Sequence, residues 1–165
     1  MAAALVKKNC VVHGIEIDPE AAERARKVCA SVVEGDMDAM TELPFAAGTF
    51  DCVLALDVLE HMRRPDRALA LLRPLLKPEG LLICSIPNVA RVGVRLGLLF
   101  GRFEYGDGGA LSKGHLRFFT RRSASQLLTE AGFRIEKVEP TGLGSMIRVF
   151  LTLTAYQFMF VCRPG

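Results

Sequence analysis

An unbroken apolar run forms the clearest hydrophobic pattern of the chain. It extends from Cys52 to Leu56 and has an aspartate at each end. Because polar residues do not alternate with the apolar ones, the run predicts a parallel strand that helices cover on both faces. Ligands of open parallel sheets bind beyond the carboxyl ends of the strands. We therefore expect Asp57, Glu60 and His61, which follow this strand, to border a functional site.

The other apolar and polar positions predict strands that alternate with helices. Asp18, Pro19 and Glu20 supply an N-cap, a proline at the first helical position and an acid in the first turn. Thr120 is the predicted cap of a later helix, and Pro74 is expected to loosen the last turn of the helix that contains it. Strands are predicted over residues 10–16, 31–33, 52–56, 81–86, 133–138 and 156–162, and helices over 2–8, 18–28, 63–76, 89–103 and 120–131. Residues 142–153 fit either a helix or an irregular insertion.

Composition and charge favour one domain with a small or neutral partner. The chain has 165 residues, half of them hydrophobic, which is enough for one sizeable core. Its net charge is +3, with both signs dispersed along the sequence. A nucleic-acid binder would concentrate basic residues on one face, so no nucleic-acid partner is expected.

Cysteine usage and the absence of long apolar segments predict a cytoplasmic protein. The five cysteines are odd in number, scattered and without a CxxC pair, so we expect reduced thiols in the core. The first eight residues contain no apolar signal-peptide region. The most apolar late stretch, Val149 to Cys162, is interrupted by polar residues and is shorter than the roughly 20 residues that a membrane span needs. No transmembrane segment is expected.

Several sequence blocks, taken in order, resemble the class I S-adenosylmethionine-dependent methyltransferases. Acids end or follow the first two predicted strands of this chain, at Glu16 and Asp36. The further blocks are Phe-Asp-Cys-Val-Leu-Ala-Leu-Asp-Val-Leu-Glu-His from residue 50, Leu-Lys-Pro-Glu-Gly-Leu-Leu-Ile from residue 76 and Glu-Ala-Gly-Phe from residue 130. The resemblance covers residues 2–163 and is greatest to the small-molecule branch. It implies a doubly wound α/β domain with a mostly parallel sheet and an antiparallel C-terminal strand.

The resemblance also implies a cofactor, S-adenosylmethionine, and residues that bind it. Glu16 would accept hydrogen bonds from both ribose hydroxyls, because a carboxylate presents two acceptor oxygens. Ile17 would pack on the adenine, and Asp36 would bind the adenine amine with Met37 beside it. The backbone near Leu56 would reach the methionine part of the cofactor.

One expected feature of the family is missing from the sequence. Its first strand and glycine-rich turn would precede Ala2, so we expect a single domain over residues 1–165 that lacks its first βα element. Glycines of that turn allow close approach to the cofactor. We therefore hypothesise that this chain alone binds the cofactor poorly. A non-catalytic fragment or partner subunit, and a nucleotide-binding oxidoreductase domain, are the alternative functions.

Two histidines are the candidate catalytic residues on the acceptor side. His115 could act as a general base with a pKa near neutrality, although a lone histidine beside aromatic residues also suits structural packing. His61 adjoins Glu60, and the pattern Asp57-x-x-Glu60-His61 resembles a Glu-x-x-Glu-His arrangement of metal-assisted O-methyltransferases. Capping by Asp57 and site lining by Glu60 and His61 explain the pattern more simply, so no metal ligand is assigned.

The segment from Val89 to Phe119 is expected to face the methyl acceptor. It contains a glycine-rich loop at residues 104–114, and four aromatic residues that could line an apolar pocket: Phe103, Tyr105, Phe118 and Phe119. Arginines recur in its predicted helix at Arg91, Arg95 and Arg102. They could form a solvated face, a clamp for an acidic substrate or a peripheral contact with an anionic membrane.

Overall fold

The computed structural model describes residues 1–142 and 151–165. These residues form two compact units, Met1–Leu43 and Pro44–Gly165, and each contains its own sheet. Of the undecided segment at residues 142–153, Leu151–Thr154 is helical, whereas residues 143–150 lie outside the described part. The two units are considered separately below.

The first unit contains two parallel strands and two helices. Its elements are α1 (Ala2–Val6), β1 (His13–Glu16), α2 (Pro19–Arg26) and β2 (Ser31–Glu34). The Asp18 side chain accepts a hydrogen bond from the Glu20 amide at 3.0 Å, which confirms the predicted cap of α2. Glu16 lies opposite Glu34 in the parallel register, so both strands end at the same edge of their sheet. The strand predicted from residue 10 begins only at His13.

The second unit is built on four strands in the order β3, β4, β6, β5. β6 is antiparallel to both of its neighbours, and the other three strands share one direction. This arrangement confirms the predicted antiparallel C-terminal strand. The strands are β3 (Phe50–Leu56), β4 (Leu76–Pro87), β5 (Phe133–Pro140) and β6 (Gln157–Pro164).

Short helices connect these strands and contribute to the core. A 3₁₀ turn at Leu59–His61 precedes α3 (Pro65–Leu72), and a second 3₁₀ turn, Arg73–Leu75, contains Pro74. The predicted loosening at this proline is therefore confirmed. α4 (Val92–Leu99) is shorter than the predicted helix at residues 89–103, and α5 (Arg121–Glu130) and α6 (Leu151–Thr154) follow. The large buried side chains of this unit include Leu59, Leu69, Leu82, Ile86, Leu128, Phe158 and Phe160.

The prediction that helices cover both faces of β3 is wrong. β3 lies at the edge of its sheet, and successive side chains of a strand point to opposite faces. Ala55 on one face is buried, whereas Leu54 on the other is 37% exposed and Cys52 is exposed too. An apolar run specifies hydrophobicity but not what packs against each face, which explains the error.

None of the five cysteines forms a disulfide, but only two of them are core residues. Cys84 and Cys162 are fully buried in β4 and β6. Burial raises the pKa of the Cys162 thiol to about 12 and that of the Cys84 thiol further, so both stay protonated. Cys10 and Cys52 are exposed, contrary to the expectation of core thiols. Among the described residues, no helix has the length and apolar character needed to cross a membrane.

Candidate active site

The predicted cofactor acids lie at neighbouring strand ends in the first unit. Glu16 ends β1, and its Oε1 accepts hydrogen bonds from the amides of Ile17 at 2.9 Å and Asp18 at 3.1 Å. Asp36 follows β2 by two residues, and its Oδ1 accepts a bond from the Asp38 amide at 2.9 Å. Backbone amides thus orient both carboxylates at one edge of the sheet. Such an arrangement fits an adenosine group, since carboxylate oxygens accept hydrogen bonds from hydroxyl and amine donors.

Two further predicted residues flank these acids. Ile17 is 62% exposed, so its side chain is available to pack on a planar ring. Met37 is half-buried in the turn after Asp36. Their roles toward a cofactor stay predictions.

In the second unit, the end of β3 is held by a pair of hydrogen bonds. Leu56 is the last residue of β3 and pairs with Ser85 of β4. Asp57 adopts a left-handed conformation with φ of 52°, which costs energy for a residue other than glycine. Its amide donates to Ser85 Oγ at 2.9 Å, and Ser85 Oγ donates to Asp57 Oδ1 at 2.9 Å. The buried serine therefore stabilises the turn at the predicted rim of the site.

Hydrogen bonds distant in sequence bring His115 close to the 3₁₀ turn. The Glu60 carbonyl accepts bonds from the amides of Leu116 at 2.8 Å and Arg117 at 3.0 Å. The Arg117 guanidinium also donates to the Arg63 carbonyl at 2.6 Å. As a result the imidazoles of His61 and His115 meet edge to face, with ring centroids 4.8 Å apart.

Each of these imidazoles has one nitrogen oriented by a backbone carbonyl. His61 Nδ1 lies 2.9 Å from the Gly114 oxygen, and His115 Nδ1 lies 3.3 Å from the Ala110 oxygen. Carbonyl oxygens only accept hydrogen bonds, so Nδ1 is the donor in both rings. The neutral form of each ring consequently has its lone pair on Nε2.

Glu60 is the most unusual charged residue of the site because its side chain is buried. Only 1% of the residue is exposed, and neither carboxylate oxygen makes a hydrogen bond in the described structure. Burial raises the pKa of Glu60 to about 7, and the nearby charge of Asp57 acts in the same direction. The backbone amide of Glu60 lies near its own carboxylate and lowers the pKa in part, although the two groups do not form a hydrogen bond.

Three of the four predicted pocket aromatics form a cluster. Phe103, Tyr105 and Phe118 have ring centroids 5.6 to 6.0 Å apart. Phe119 is buried, and its backbone pairs with Asn88 and Val89 instead. A separate surface hollow of about 510 Å³ contains none of the predicted site residues, because it is lined by Asp66, Ala70, Arg73, Leu127, Glu130 and Ala131.

Of the three arginines predicted in this helix, Arg95 alone lies within α4, because Arg91 is its N-cap and Arg102 follows its end. Arg91 lies over the Tyr156 ring at 5.1 Å, and Arg95 Nε donates to the Ala90 carbonyl at 2.6 Å. No residue of α4 is buried, and its apolar side chains are largely exposed. The interpretation of this segment as a solvated basic face therefore holds only in part, because its exposed surface is largely apolar and two of its arginines contact other groups of the chain.

Comparison with known proteins decides the family. Residues 1–138 match a family model described as a methyltransferase domain. The chain belongs to this family. S-adenosylmethionine is accordingly its cofactor, and the resemblance to class I methyltransferases is confirmed.

Solved structures share the fold at low sequence identity. An S-adenosylmethionine-dependent methyltransferase of Methanosarcina mazei matches with a TM-score of 0.70 and 17% identity, over 99% of this chain and 86% of that one. A TehB-like S-adenosylmethionine-dependent methyltransferase of Corynebacterium glutamicum has a TM-score of 0.64 and 15% identity, over 99% and 73%. Likenesses at this level establish the Rossmann-like α/β fold of methyltransferases for the chain.

A curated relative is similar over a shorter stretch. It is an uncharacterized 37.1 kDa protein of a Streptomyces fradiae transposon, 34% identical over 79 residues. The match spans 47% of this chain and 23% of the relative's length.

Two features of the site escaped the sequence analysis. Ser85 interrupts an otherwise apolar strand, and that polar position was the available signal for its contact with Asp57. The meeting of His61 with His115 had no local signal, because the two lie far apart in sequence.

Proposed function

We propose that the chain transfers the methyl group of S-adenosylmethionine to an oxygen, nitrogen or carbon nucleophile of a small molecule. The observation that supports the assignment of residues to the acceptor side is the contact between His61 and His115. In both rings Nδ1 donates to a carbonyl, so Nε2 carries the lone pair that can accept a proton. Bound S-adenosylmethionine supplies a methyl group already activated by the sulfonium. Residues of the chain then need mainly to position the two reactants.

On the cofactor side, Glu16 would bind the ribose hydroxyls and Asp36 the adenine amine. Ile17 and Met37 would pack on the adenine, and the Leu56 backbone would reach the methionine part. The support is their position at strand ends, where ligands of this fold class bind. Amide bonds to Glu16 Oε1 orient the carboxylate before any ligand arrives, which reduces the entropy lost on binding.

On the acceptor side, His61 and His115 would help the nucleophile lose its proton as the methyl group moves. Their exposure differs, with His61 exposed and His115 half-buried, so an acceptor can approach the pair from solvent. The cluster of Phe103, Tyr105 and Phe118 supplies an apolar surface in the adjoining segment. This surface favours an acceptor with an aromatic or other apolar body.

Cofactor binding is tested by equilibrium dialysis of labelled S-adenosylmethionine against the full chain. Glu16→Gln and Asp36→Asn should each lower binding. Glu34→Gln is the matched control, because Glu34 faces Glu16 in the register but pairs with Arg26 at 2.7 Å. Equal binding by all four proteins would contradict the assignment of Glu16 and Asp36. Methyl transfer to a panel of phenols, amines and carbon acids then tests the reaction, and His115→Ala with unchanged turnover would remove His115 from it.

A contact with an anionic membrane surface is the second candidate for the segment around α4. Leu99 and Phe100 are 75% exposed, and the same segment carries Arg91, Arg95 and Arg102. Apolar insertion combined with basic residues is how amphipathic helices bind anionic lipid. Flotation with phosphatidylserine vesicles should recover the chain, and Leu99→Ser with Phe100→Ser should abolish recovery. Equal recovery with neutral phosphatidylcholine vesicles would contradict the role of the arginines.

We also propose that the chain is cytoplasmic, because its five thiols would stay reduced in that compartment.

A further inference from the structure

We propose that Glu60, His61 and His115 bind one divalent transition-metal ion of the zinc type. One ring nitrogen of each histidine and one carboxylate oxygen of Glu60 lie within 4.8 Å of one another. Two imidazoles and a carboxylate form a donor set that suits zinc and its first-row neighbours. The ligands come from two segments that the chain brings together only by folding.

The site is built by the backbone rather than by surface side chains meeting at random. The Glu60 carbonyl receives the amides of Leu116 and Arg117 at 2.8 and 3.0 Å. His61 donates across the same junction to the Gly114 carbonyl at 2.9 Å. Three bonds therefore fix the segment that carries His115 against the turn that carries the other two ligands.

The buried carboxylate is an independent sign that a ligand belongs between these residues. Glu60 is 1% exposed, and both of its side-chain oxygens lack a hydrogen bond in the described structure. A buried charged group without partners costs several kcal/mol, so such groups are normally paired or coordinate a metal. A cation between Glu60 and the two imidazoles would supply the missing partner.

The histidines already have the orientation that metal ligands require. A metal-bound imidazole usually donates its second ring N–H to a carboxylate or backbone carbonyl, which fixes the ring and its tautomer. His61 and His115 both donate Nδ1–H to carbonyls, at Gly114 and Ala110. Their Nε2 lone pairs are thereby left for coordination.

Asp57 lies outside this donor set, although the sequence groups it with Glu60 and His61. Its Oδ1 accepts the Ser85 hydroxyl at 2.9 Å, and its backbone is fixed by the same serine. His115 replaces Asp57 as the third donor. A tetrahedral zinc shell separates its ligand atoms by about 3.3 Å. The present atoms lie within 4.8 Å of one another, so side-chain rotations that bring them closer by at most about 1.5 Å would close the site.

Three protein ligands leave one position of a tetrahedral ion open. Because His61 is exposed, solvent or a substrate oxygen could reach that position. A hydroxyl bound there would lose its proton more readily, because the metal stabilises the oxyanion. The histidines would then act through the metal, a consequence that rests on the proposed methyl transfer, whereas metal binding itself does not.

The test is titration of the tag-free, chelator-treated full chain with Zn²⁺ and with Co²⁺. We expect one Zn²⁺ per chain by calorimetry and a Co²⁺ visible spectrum without the near-ultraviolet thiolate band that cysteine ligands produce. Neither measurement needs S-adenosylmethionine or an acceptor, so failure of the metal site and failure of methyl transfer are distinguishable. A chain that binds no Zn²⁺, or whose Co²⁺ spectrum contains the thiolate band, would overturn the proposal.

Variants assign the ligands. His61→Ala, His115→Ala and Glu60→Gln should each weaken Zn²⁺ binding by more than about tenfold, since even outer-shell changes cost about that much. Glu60→Gln keeps the size of the side chain, so it remains informative if a histidine variant fails to fold. His13→Ala, in the first unit, and Cys10→Ser with Cys52→Ser are controls that should bind as the unaltered chain does. Unchanged binding by Glu60→Gln would refute the assignment.

Discussion

Replacement of Ser85 by alanine should destabilise the second unit by about 2 kcal/mol. Ser85 Oγ makes two hydrogen bonds to Asp57, one from the amide and one to the carboxylate. A neutral bond contributes about 1 kcal/mol and a bond to a charged group about 1.5 to 3 kcal/mol. Because Asp57 is exposed, water can rehydrate its carboxylate once the serine is removed. The expected loss of stability therefore lies at the lower end of the sum of these two contributions.

The conformation of Asp57 provides a control for this prediction. Its φ of 52° is unfavourable for a side chain with a Cβ atom. Asp57→Gly and Asp57→Ala both remove the bond to Ser85, but glycine adopts this conformation without strain. The glycine variant should therefore be more stable than the alanine variant by about 1 kcal/mol.

Urea unfolding followed by circular dichroism measures these effects. In a double-mutant cycle, Ser85→Ala combined with Asp57→Ala should cost less than the two changes added together, because both remove the same bond. A Ser85→Ala cost below about 0.5 kcal/mol, or strict additivity with Asp57→Ala, would refute the account. Since Asp57 follows Leu56, Ser85→Ala should also weaken S-adenosylmethionine binding if the Leu56 backbone contacts the cofactor.

Three further predictions concern Glu60, α5 and the core. Burial raises the pKa of Glu60 from 4.5 to about 7. Between these pH values the metal-free folded chain keeps the Glu60 proton that the unfolded chain has lost. The free energy of unfolding should therefore fall by roughly 3 kcal/mol as pH rises from about 4.5 to 7. Glu60→Gln should remove this loss, and identical pH profiles for both proteins in chelator would contradict it. Thr120→Ala should cost about 1 kcal/mol, because Thr120 Oγ1 accepts the Ser123 amide at 3.2 Å in the cap of α5; Thr120→Ser, which retains the hydroxyl, should cost less. Leu128→Ala should cost about 2 to 5 kcal/mol in urea unfolding, because Leu128 is fully buried, whereas Leu116→Ala at an exposed position should cost little.

Local signals in the sequence predicted the element boundaries that depend on backbone chemistry. Asp18 and Thr120 cap helices because their side chains accept amide bonds within three residues. Pro74 ends regular α3 because a proline lacks the amide that an inner helical turn needs. The acids Glu16 and Asp36 fall at strand ends as predicted, since those positions follow from the apolar runs before them.

Burial and long-range contact could not be predicted in the same way. The exposure of Leu54 depends on what covers each face of β3, which the composition of the strand does not contain. His61 and His115 meet because the Glu60 carbonyl binds two amides of a segment more than fifty residues away. Sequence spacing instead placed Asp57 with Glu60 and His61, because residues close in the chain are the only neighbours that spacing can suggest.

Glu60 takes part both in the long-range contacts of the backbone and in the chemistry of the site. Its backbone carbonyl holds the distant segment in place, while its buried carboxylate has an oxygen within 4.8 Å of a ring nitrogen of His115. A glutamine at the same position would keep the backbone bonds and remove the buried charge. Zn²⁺ binding by Glu60→Gln therefore separates the architectural role of this residue from its chemical role. If Glu60→Gln folds at least as stably as the unaltered chain and loses the metal, the carboxylate is there for coordination and the backbone for assembly.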